Sequence, residues 1–399
     1  MINKDRLQLI ATATFGLEAV VRREIEGLGY VVLKTEDGKV TYEGDVKAIA
    51  ESNLWLRTAD RVLLKMAEFD AVTFEELFQQ TKAVAWSDII PKDGKFTVTC
   101  STVKSTLHNP PAIQSIAKKA IVEQMKEVYG IDVFPETGAE YTVKVTMLKD
   151  RATLTIDTSG SGLHNRGYRV AMVDAPMKET LAAALVQLSF WKPGTILLDP
   201  CCGSGTIPIE AAMIQANIAP GLNRHFASEK WDFIGSEVWK SARHAAYNAT
   251  FVPGYNVTQN ATFQPGTNVT FLTAGDVNPK AVAAAKANAE AAGVDELITF
   301  RRADIRESLN NAEGEQGIIV TNPPYGERIG EDEEIERIYK SLANFMKKHD
   351  DWSLFMITSD KEVEKRVFRR KADRRRKLYN GNIETTYYQF HGKKPGVKK

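Results

Sequence analysis

Apolar and polar residues alternate over Leu7 to Thr14, which predicts a strand, and apolar residues then recur at helical spacing from Leu17 to Leu28 until Gly29 stops the pattern. Val31 to Tyr42 alternates again on either side of Asp37-Gly38, as a hairpin does. Val46 to Ala59 reads as a helix and Val62 to Ala67 as a strand. That order predicts a small α+β sandwich of ferredoxin type over residues 1–66. A second α+β unit is expected over 67–160, with helices at Phe74 to Ala83 and Ala112 to Val128 and a strand at Lys95 to Ser101. A hairpin of two strands, Tyr141 to Leu148 and Arg151 to Asp157, completes it around Lys149-Asp150. No residue of this second unit looks catalytic.

Ser159 to Arg169, SGSGLHNRGYR, is rich in Gly and Ser and polar, so a linker is expected, placed over 161–174. From Lys178 the pattern becomes helix, strand, helix, strand, over a domain spanning 175–392. Its strands, at Thr195 to Asp199, Phe271 to Gly275, Ile298 to Arg301, Ile318 to Thr321 and Leu354 to Thr358, are mostly apolar, as strands buried on both faces are. Helices at Thr206 to Ile214, Lys280 to Ala292 and Ile335 to Lys347 separate them. The expected fold is therefore α/β, a Rossmann-like doubly wound sheet preceded by α+β units. The Asn-, Thr-, Pro- and Gly-rich stretch from Ala249 to Asn268 is expected to be a long surface loop.

Composition narrows the setting. With 43% hydrophobic and 26% charged residues in 399, and no apolar run long enough for a membrane span, the chain reads as a soluble globular protein. No secretory signal is visible at the N-terminus, so the Asn-x-Thr sequons at Asn248, Asn256, Asn260 and Asn268 are discounted and a cytoplasmic location is expected. Three cysteines, two of them adjacent at Cys201 and Cys202, form neither a disulfide framework nor a zinc-site spacing. A net charge of +1 makes no general case for nucleic acid. The basic run from Lys361 to Lys377 reads, taken alone, as a solvated helix face.

Chemistry concentrates at the ends of the predicted parallel strands. In LLDPCCGSGT, Leu197 to Thr206, Gly203 and Gly205 let the backbone turn tightly against a ligand, and the helix that follows offers free N–H groups. A nucleotide-like cofactor is implied, although the spacing departs from the dinucleotide fingerprint at Ile207-Pro208. Asp276 and Asp304 each follow a strand, where a carboxylate can accept from ribose hydroxyls or from an adenine amino group; either can equally be a helix N-cap. TNPPYGER, Thr321 to Arg328, is the most specific feature. An exocyclic base amine is a weak nucleophile, and its methylation calls for acceptors aimed at its hydrogens. The Asn322 side-chain oxygen and the Pro323 carbonyl can supply them, while Tyr325 offers a ring for the base to stack on.

DPCCGSGT, Asp276, Asp304 and NPPY, in that order, resemble the amino-methyltransferase superfamily, whose members methylate adenine N6, guanine N2 or glutamine side chains. With LHNRGYR at Leu163 to Arg169, APMKETLAAAL at Ala175 to Leu185 and the upstream α+β region, nearly the whole chain resembles the bacterial THUMP-domain ribosomal RNA guanine-N2 methyltransferases. The resemblance implies a THUMP RNA-binding domain at 67–160 and S-adenosyl-L-methionine as methyl donor, without metal. It implies that Asp199, Cys201, Gly203, Gly205 and Thr206 border the cofactor, that Asp276 holds its ribose, and that Asp304 and Ile305 hold its adenine. Lys178, Glu179 and Thr180 would lie near its methionine end, although Lys-Glu-Thr is equally a capping pattern. Asn322, which also counts with the cofactor set, Pro323 and Tyr325 would form the catalytic base site. The implied substrate is guanine N2 of large-subunit (23S) ribosomal RNA, acted on by a monomer or a homodimer. The rivals are an adenine-N6 DNA methyltransferase, which NPPY alone would support, and a catalytically inactive RNA-binding assembly factor. A nicotinamide dehydrogenase is disfavoured by the glycine spacing.

Overall fold

A computed structural model of the chain describes residues 2–173, 176–250, 271–312, 316–325 and 332–393. They divide into two compact units: one holds Met1–Ala13, Val21–Leu163 and Arg224–Ala245, the other Thr14–Val20, His164–Asn223 and Ala246–Lys399. Most of the expected loop, and three of the four sequons, lie outside the described residues. Among the described residues no helix is long and apolar enough to cross a membrane.

The first unit is one seven-stranded sheet. Strands β1 (Leu7–Ala13), β2 (Val31–Glu36), β3 (Lys39–Gly44) and β4 (Ala59–Asp70), with helices α1 (Glu18–Gly27) and α2 (Val46–Trp55), form the expected ferredoxin arrangement. Asp45 caps α2, accepting from the Ala48 N–H at 3.0 Å. The second expected unit contributes α3 (Phe74–Lys82), β5 (Lys95–Val103), α4 (Pro110–Tyr129), β6 (Glu140–Leu148) and β7 (Arg151–Asp157). Thr73 and Glu76 close a capping box on α3; α4 starts at the Asn109 cap with Pro110 in its first turn and ends at the left-handed Gly130. The strand order β2-β3-β1-β4-β7-β6-β5 shows the two halves joined edge to edge, β4 pairing antiparallel with β7 from Leu63 opposite Asp157 to Asp70 opposite Arg151. Leu154 and Ile156 of β7 share a single core with Leu9, Ile49, Trp86 and Ile121.

Residues Arg224–Ala245, expected within 175–392, group with this first unit. Trp231 stacks on Tyr141 at 4.7 Å and donates its indole N–H to the Glu140 carbonyl, while Arg224 donates to the carbonyls of Ser161 and Gly162.

In the second unit α5 (Glu179–Leu188), β8 (Ile196–Asp199), α6 (Thr206–Gln215) and α7 (Ser236–Ala249), which starts within the first unit, are followed by β9 (Leu272–Asp276) and α8 (Pro279–Ala291). Then come β10 (Ile298–Arg302), α9 (Ile305–Asn310), β11 (Gly317–Thr321), α10 (Asp332–Lys348), β12 (Ser353–Thr358), β13 (Arg374–Asn380) and β14 (Ile383–Phe390). The sheet order is β10-β9-β8-β11-β12-β14-β13, parallel as far as β12 and then antiparallel. The apolar runs follow from this: successive residues enter opposite cores. Leu197, Ile318, Val320, Phe355 and Ile357 pack on the side of α5 and α6; Leu198, Ile319, Leu354 and Met356 pack on the side of α9 and α10.

The basic run is not a helix. Glu364–Phe368 makes a single π-helical turn that ends at the left-handed Arg369, and Arg374 begins an edge strand. Val363, Val367 and Phe368 are buried, which draws the chain inward, and Leu378 is buried on the other side of the sheet. The hairpin signal, Asn380-Gly381-Asn382 between two alternating segments, was present in the sequence.

Gly317 opens the central strand β11, where a Cβ would stand 2.6 Å and 2.8 Å from the ring of buried Trp352. Gly317→Ala is expected to destabilise the second unit by about 1–3 kcal/mol through overpacking, read as a lower urea midpoint with the far-ultraviolet spectrum unchanged.

Candidate active site

The site forms where β8, β9, β10 and β11 end. After Asp199 the chain turns through Gly203 (φ +53°) and Gly205 (φ +83°), both left-handed. Gly205 has a second constraint, because a Cβ there would lie 2.9 Å from the Ala285 Cβ of α8. The Cys202 N–H donates to the Gly275 carbonyl at 2.9 Å, tying the turn to the end of β9. α6 then starts at Gly205 with no side chain capping its first turn.

Three acids line this edge. Asp199 is 1% exposed; its Oδ1 accepts from the Thr321 hydroxyl at 2.7 Å and from the Cys201 N–H at 3.2 Å. Burial, with a contribution from the charge on Asp276, pushes its carboxyl up to about 7 against the lowering effect of those two bonds. Asp276 accepts from the Gly203 N–H at 3.0 Å and the Asn278 N–H at 2.8 Å, and it is Asn278 that caps α8. Asp304 is an N-cap, that of α9, accepting from the Arg306 N–H at 2.9 Å. Burial raises its carboxyl, but the bonds from Arg306 and the charges of Arg306 and Arg337 outweigh this and hold it below the ordinary carboxylate range. The Ala303 N–H donates to the Asp276 carbonyl, which sets Asp304 beside Asp276 along the edge.

The residues expected at the base site, Asn322, Pro323 and Tyr325, follow β11 directly. The Asn322 Oδ1 is buried and has no hydrogen-bond partner among the described residues. A buried, unmet acceptor costs stability unless a ligand supplies the hydrogen. The Tyr325 hydroxyl accepts from the Asn380 amide at 2.8 Å, and burial raises the phenol above its ordinary range. Tyr339 on α10 donates to the Pro324 carbonyl at 3.4 Å and bonds Thr358 at 2.7 Å. Gly326 to Arg328 of the motif lie outside the described residues.

In the stretch read as a linker, Arg169 is a hub. It pairs with buried Glu179 at 2.8 Å and donates to the Ser204 hydroxyl, the Thr206 hydroxyl and the Met177 carbonyl. Lys178, at the N-cap of α5, makes no side-chain cap bond, and Glu179 is spent on Arg169 rather than on capping. Thr180 is buried in the first turn of α5, and Ile305 is buried in the core beneath α9. Arg166 and Tyr168 reach buried Glu210 of α6, at 3.5 Å and 3.1 Å. Asn288 of α8 accepts from the N–H groups of Val170 and Ala171 and donates to the Ala171 and Ser204 carbonyls.

The structure thus joins Asp199, Cys201, Gly203 and Asp276 to Thr321 and Asn322 by direct bonds or chain continuity. It reaches Glu179, Gly205 and Thr206 through Arg169 and Ser204. Sequence reasoning assigned no role to Arg169, Asn288, Thr321 or Asn380. Thr321 and Arg169 lie inside the quoted motifs, whereas Asn288 and Asn380 had no signal beyond their amide chemistry. Burial and the charges of Asp199 and Asp276 push the Cys201 and Cys202 thiols well above their ordinary range, so neither is poised as a thiolate.

A doubly wound sheet with a glycine turn, a row of acids and an unmet amide acceptor at its carboxyl edge defines the Rossmann-like methyltransferase class. Residues 166–389 match the family model described as RMKL-like, methyltransferase domain, residues 8–63 the RlmL ferredoxin-like domain and residues 71–157 the THUMP domain. The chain belongs to the RMKL-like methyltransferase family. It is 49% identical, over 98% of both chains, to a Bacillus subtilis (strain 168) protein named "Putative RNA methyltransferase YpsC". Its fold is similar to that of a crystallised protein from Listeria monocytogenes str. 4b F2365 described as a predicted N6-adenine-specific DNA methylase (TM-score 0.88, 45% identity, 98% and 97% of the two chains covered). It is also similar to that of SMU.472, described as "a putative methyltransferase complexed with SAH" (TM-score 0.88, 38% identity, 99% and 100% covered).

Asp199 ionises near pH 4 in an unfolded chain and near 7 when folded. The folded state therefore holds this proton more tightly, and the group's contribution to stability falls as pH rises from about 4 to about 7. Asp199→Asn keeps the Oδ1 acceptor and removes the titration. In cofactor-free protein its stability relative to wild type is expected to climb across that window, by at most about 4 kcal/mol, and to level off above it. Urea unfolding at pH 5, 6, 7 and 8 checks this; a difference independent of pH contradicts it.

Proposed function

We propose that the protein transfers a methyl group from S-adenosyl-L-methionine to an exocyclic amine of an RNA base, guanine N2 of large-subunit (23S) ribosomal RNA, in the cytoplasm. The single observation that carries the amine chemistry is the buried, unpartnered Asn322 Oδ1 immediately after β11. It fits one amine hydrogen, and the Pro323 carbonyl fits the other. Acceptors on both hydrogens favour a more pyramidal nitrogen, which takes its lone pair out of conjugation with the ring and turns it toward the methyl donor. Tyr325, its hydroxyl held by Asn380, offers a ring face for a base taken out of its stack.

The cofactor, when bound, supplies an electrophilic methyl on a sulfonium. The chain's own part is to hold it: Asp276 and Asp304 suit its ribose and adenine, and Asp199 with the turn at Gly203 and Gly205 suits its amino-acid end, with Glu179 and Thr180 behind. SAH in a similar methyltransferase supports this choice. No covalent intermediate with the enzyme is required.

RNA is favoured by the matched THUMP domain and by the description of the Bacillus relative; guanine N2 rests on the family resemblance. The second reading, adenine N6 in DNA, is favoured by the description of the Listeria neighbour. Incubation with labelled S-adenosylmethionine, with ribosomal RNA from cells lacking the protein in one arm and duplex DNA in the other, followed by nucleoside mass spectrometry, tests both. N2-methylguanosine in the RNA arm is expected. Label in N6-methyladenine of DNA alone would overturn the proposal.

Asn322→Ala is expected to lower methyl transfer by about 100- to 1000-fold, with S-adenosylmethionine affinity by calorimetry within a few-fold of wild type. Near-full turnover in this variant would remove Asn322 from the chemistry.

A further inference from the structure

The edge strand β13 and the loop at Phe15 belong to the same unit as the proposed catalytic edge and, Asn380 apart, are not used by the chemistry above. β13 ends at Asn380, whose amide bonds the Tyr325 hydroxyl at 2.8 Å, so this edge is continuous with the base site. Two aromatic rings stand next to that junction. Phe15 is 47% exposed and meets Tyr379 edge-on at 6.3 Å, and the Lys377 ammonium lies 5.5 Å from the Tyr379 ring centre.

The charge along this edge is one-sided. Lys361 to Lys377 carries ten cationic residues against three acidic ones. Some of these are committed: Arg375 to buried Glu364, Arg366 to Asp360 and Glu336, Arg370 to Asp373, and Lys361 and Lys377 to Glu384. Arg376 donates to the Gly16 carbonyl at 2.7 Å. Arg369, Lys371 and Arg374 are exposed and have no acidic partner within ion-pair distance among the described residues. A strand of seven residues spans roughly 20 Å at about 3.3 Å per residue, the length of a few nucleotides of extended chain.

We propose that β13, the segment leading into it and Phe15 form a lane for the single-stranded RNA flanking the target nucleotide: a neighbouring base stacks on Phe15 and Tyr379, and the phosphates run along Arg374, Lys371 and Arg369. This deepens the reading of the protein as an RNA methyltransferase and rests on it. Exposed Phe15, with half-buried Tyr379 beside it, gives a face that any base can use, and cations without acidic partners give a track for the backbone. The bond between Asn380 and Tyr325 then couples the lane to the ring on which the target base would lie.

The test uses the full chain and a fluorescent 12-nucleotide single-stranded RNA of mixed sequence, with binding read by anisotropy across a salt series. Phe15→Ala is expected to weaken binding by about 5- to 100-fold, the loss of one stacked base. Lys371→Glu with Arg374→Glu is expected to weaken it further and to flatten the salt dependence by between one and two in logarithmic slope. Both variants should keep the wild-type melting temperature and S-adenosylmethionine affinity. Wild-type affinity and salt slope in both folded variants would overturn the lane. The separate transfer assay on ribosomal RNA distinguishes this from failure of the underlying reading: a wild-type protein that methylates RNA while its lane variants bind the oligonucleotide normally refutes the lane alone. Loss of binding in the variants of a protein that methylates only DNA refutes the RNA reading and not the surface.

Discussion

The hydrogen bond from Thr321 to Asp199 is the constraint on which the carboxyl edge of the parallel strands depends. It joins the ends of β8 and β11, which are already neighbours through Gly317 opposite Ile196. Asp199 begins the turn that reaches Gly203 and, through it, Asp276; Thr321 is followed at once by Asn322. One bond therefore sets the spacing between the residues proposed to hold a cofactor and the acceptor proposed to meet an amine. Burying the carboxylate that accepts this bond comes with a cost, visible in the raised Asp199 carboxyl, which the bond itself partly offsets. The sheet bears that cost because the bond closes two central strands, whose successive side chains fill opposite cores.

A second layer keeps the turn in place. Arg169 draws the start of α5, the glycine turn and the start of α6 together, and Asn288 fixes the preceding segment from α8. Neither side chain is itself placed to perform chemistry. Their work is to hold Ser204 and Thr206 against alternatives that a turn with two left-handed glycines would otherwise sample.

Much of this was legible in the sequence wherever periodicity and strand-end motifs coincide. The ferredoxin order, the THUMP-region hairpin at Lys149-Asp150 and the parallel strands each follow from alternation or apolar runs, because burial on one or two faces writes itself directly into residue type. The glycine turn and the acids could be placed at strand ends for the same reason. What could not be read was long-range. The joining of β4 to β7 depends on backbone pairing between segments some ninety residues apart, which no local pattern encodes. The basic run misled because charge dominates its composition, and the buried Val363, Val367 and Leu378 that decide its path are too few to show a period. The polar stretch 161–174 concealed Arg166 and Arg169 because partnered burial of arginine looks, in sequence, like exposure.

The order of the strands carries a consequence for biosynthesis. β14 lies between β12 and β13, so the parallel strands acquire their antiparallel border only after residues 374–390 have been made. Asn380, which steadies Tyr325, arrives with that border, some fifty residues after the ring it holds. The N-terminal unit likewise waits for Arg224–Ala245. A chain emerging from the ribosome thus carries an unsupported tyrosine loop and an open sheet edge until translation has passed the last hairpin.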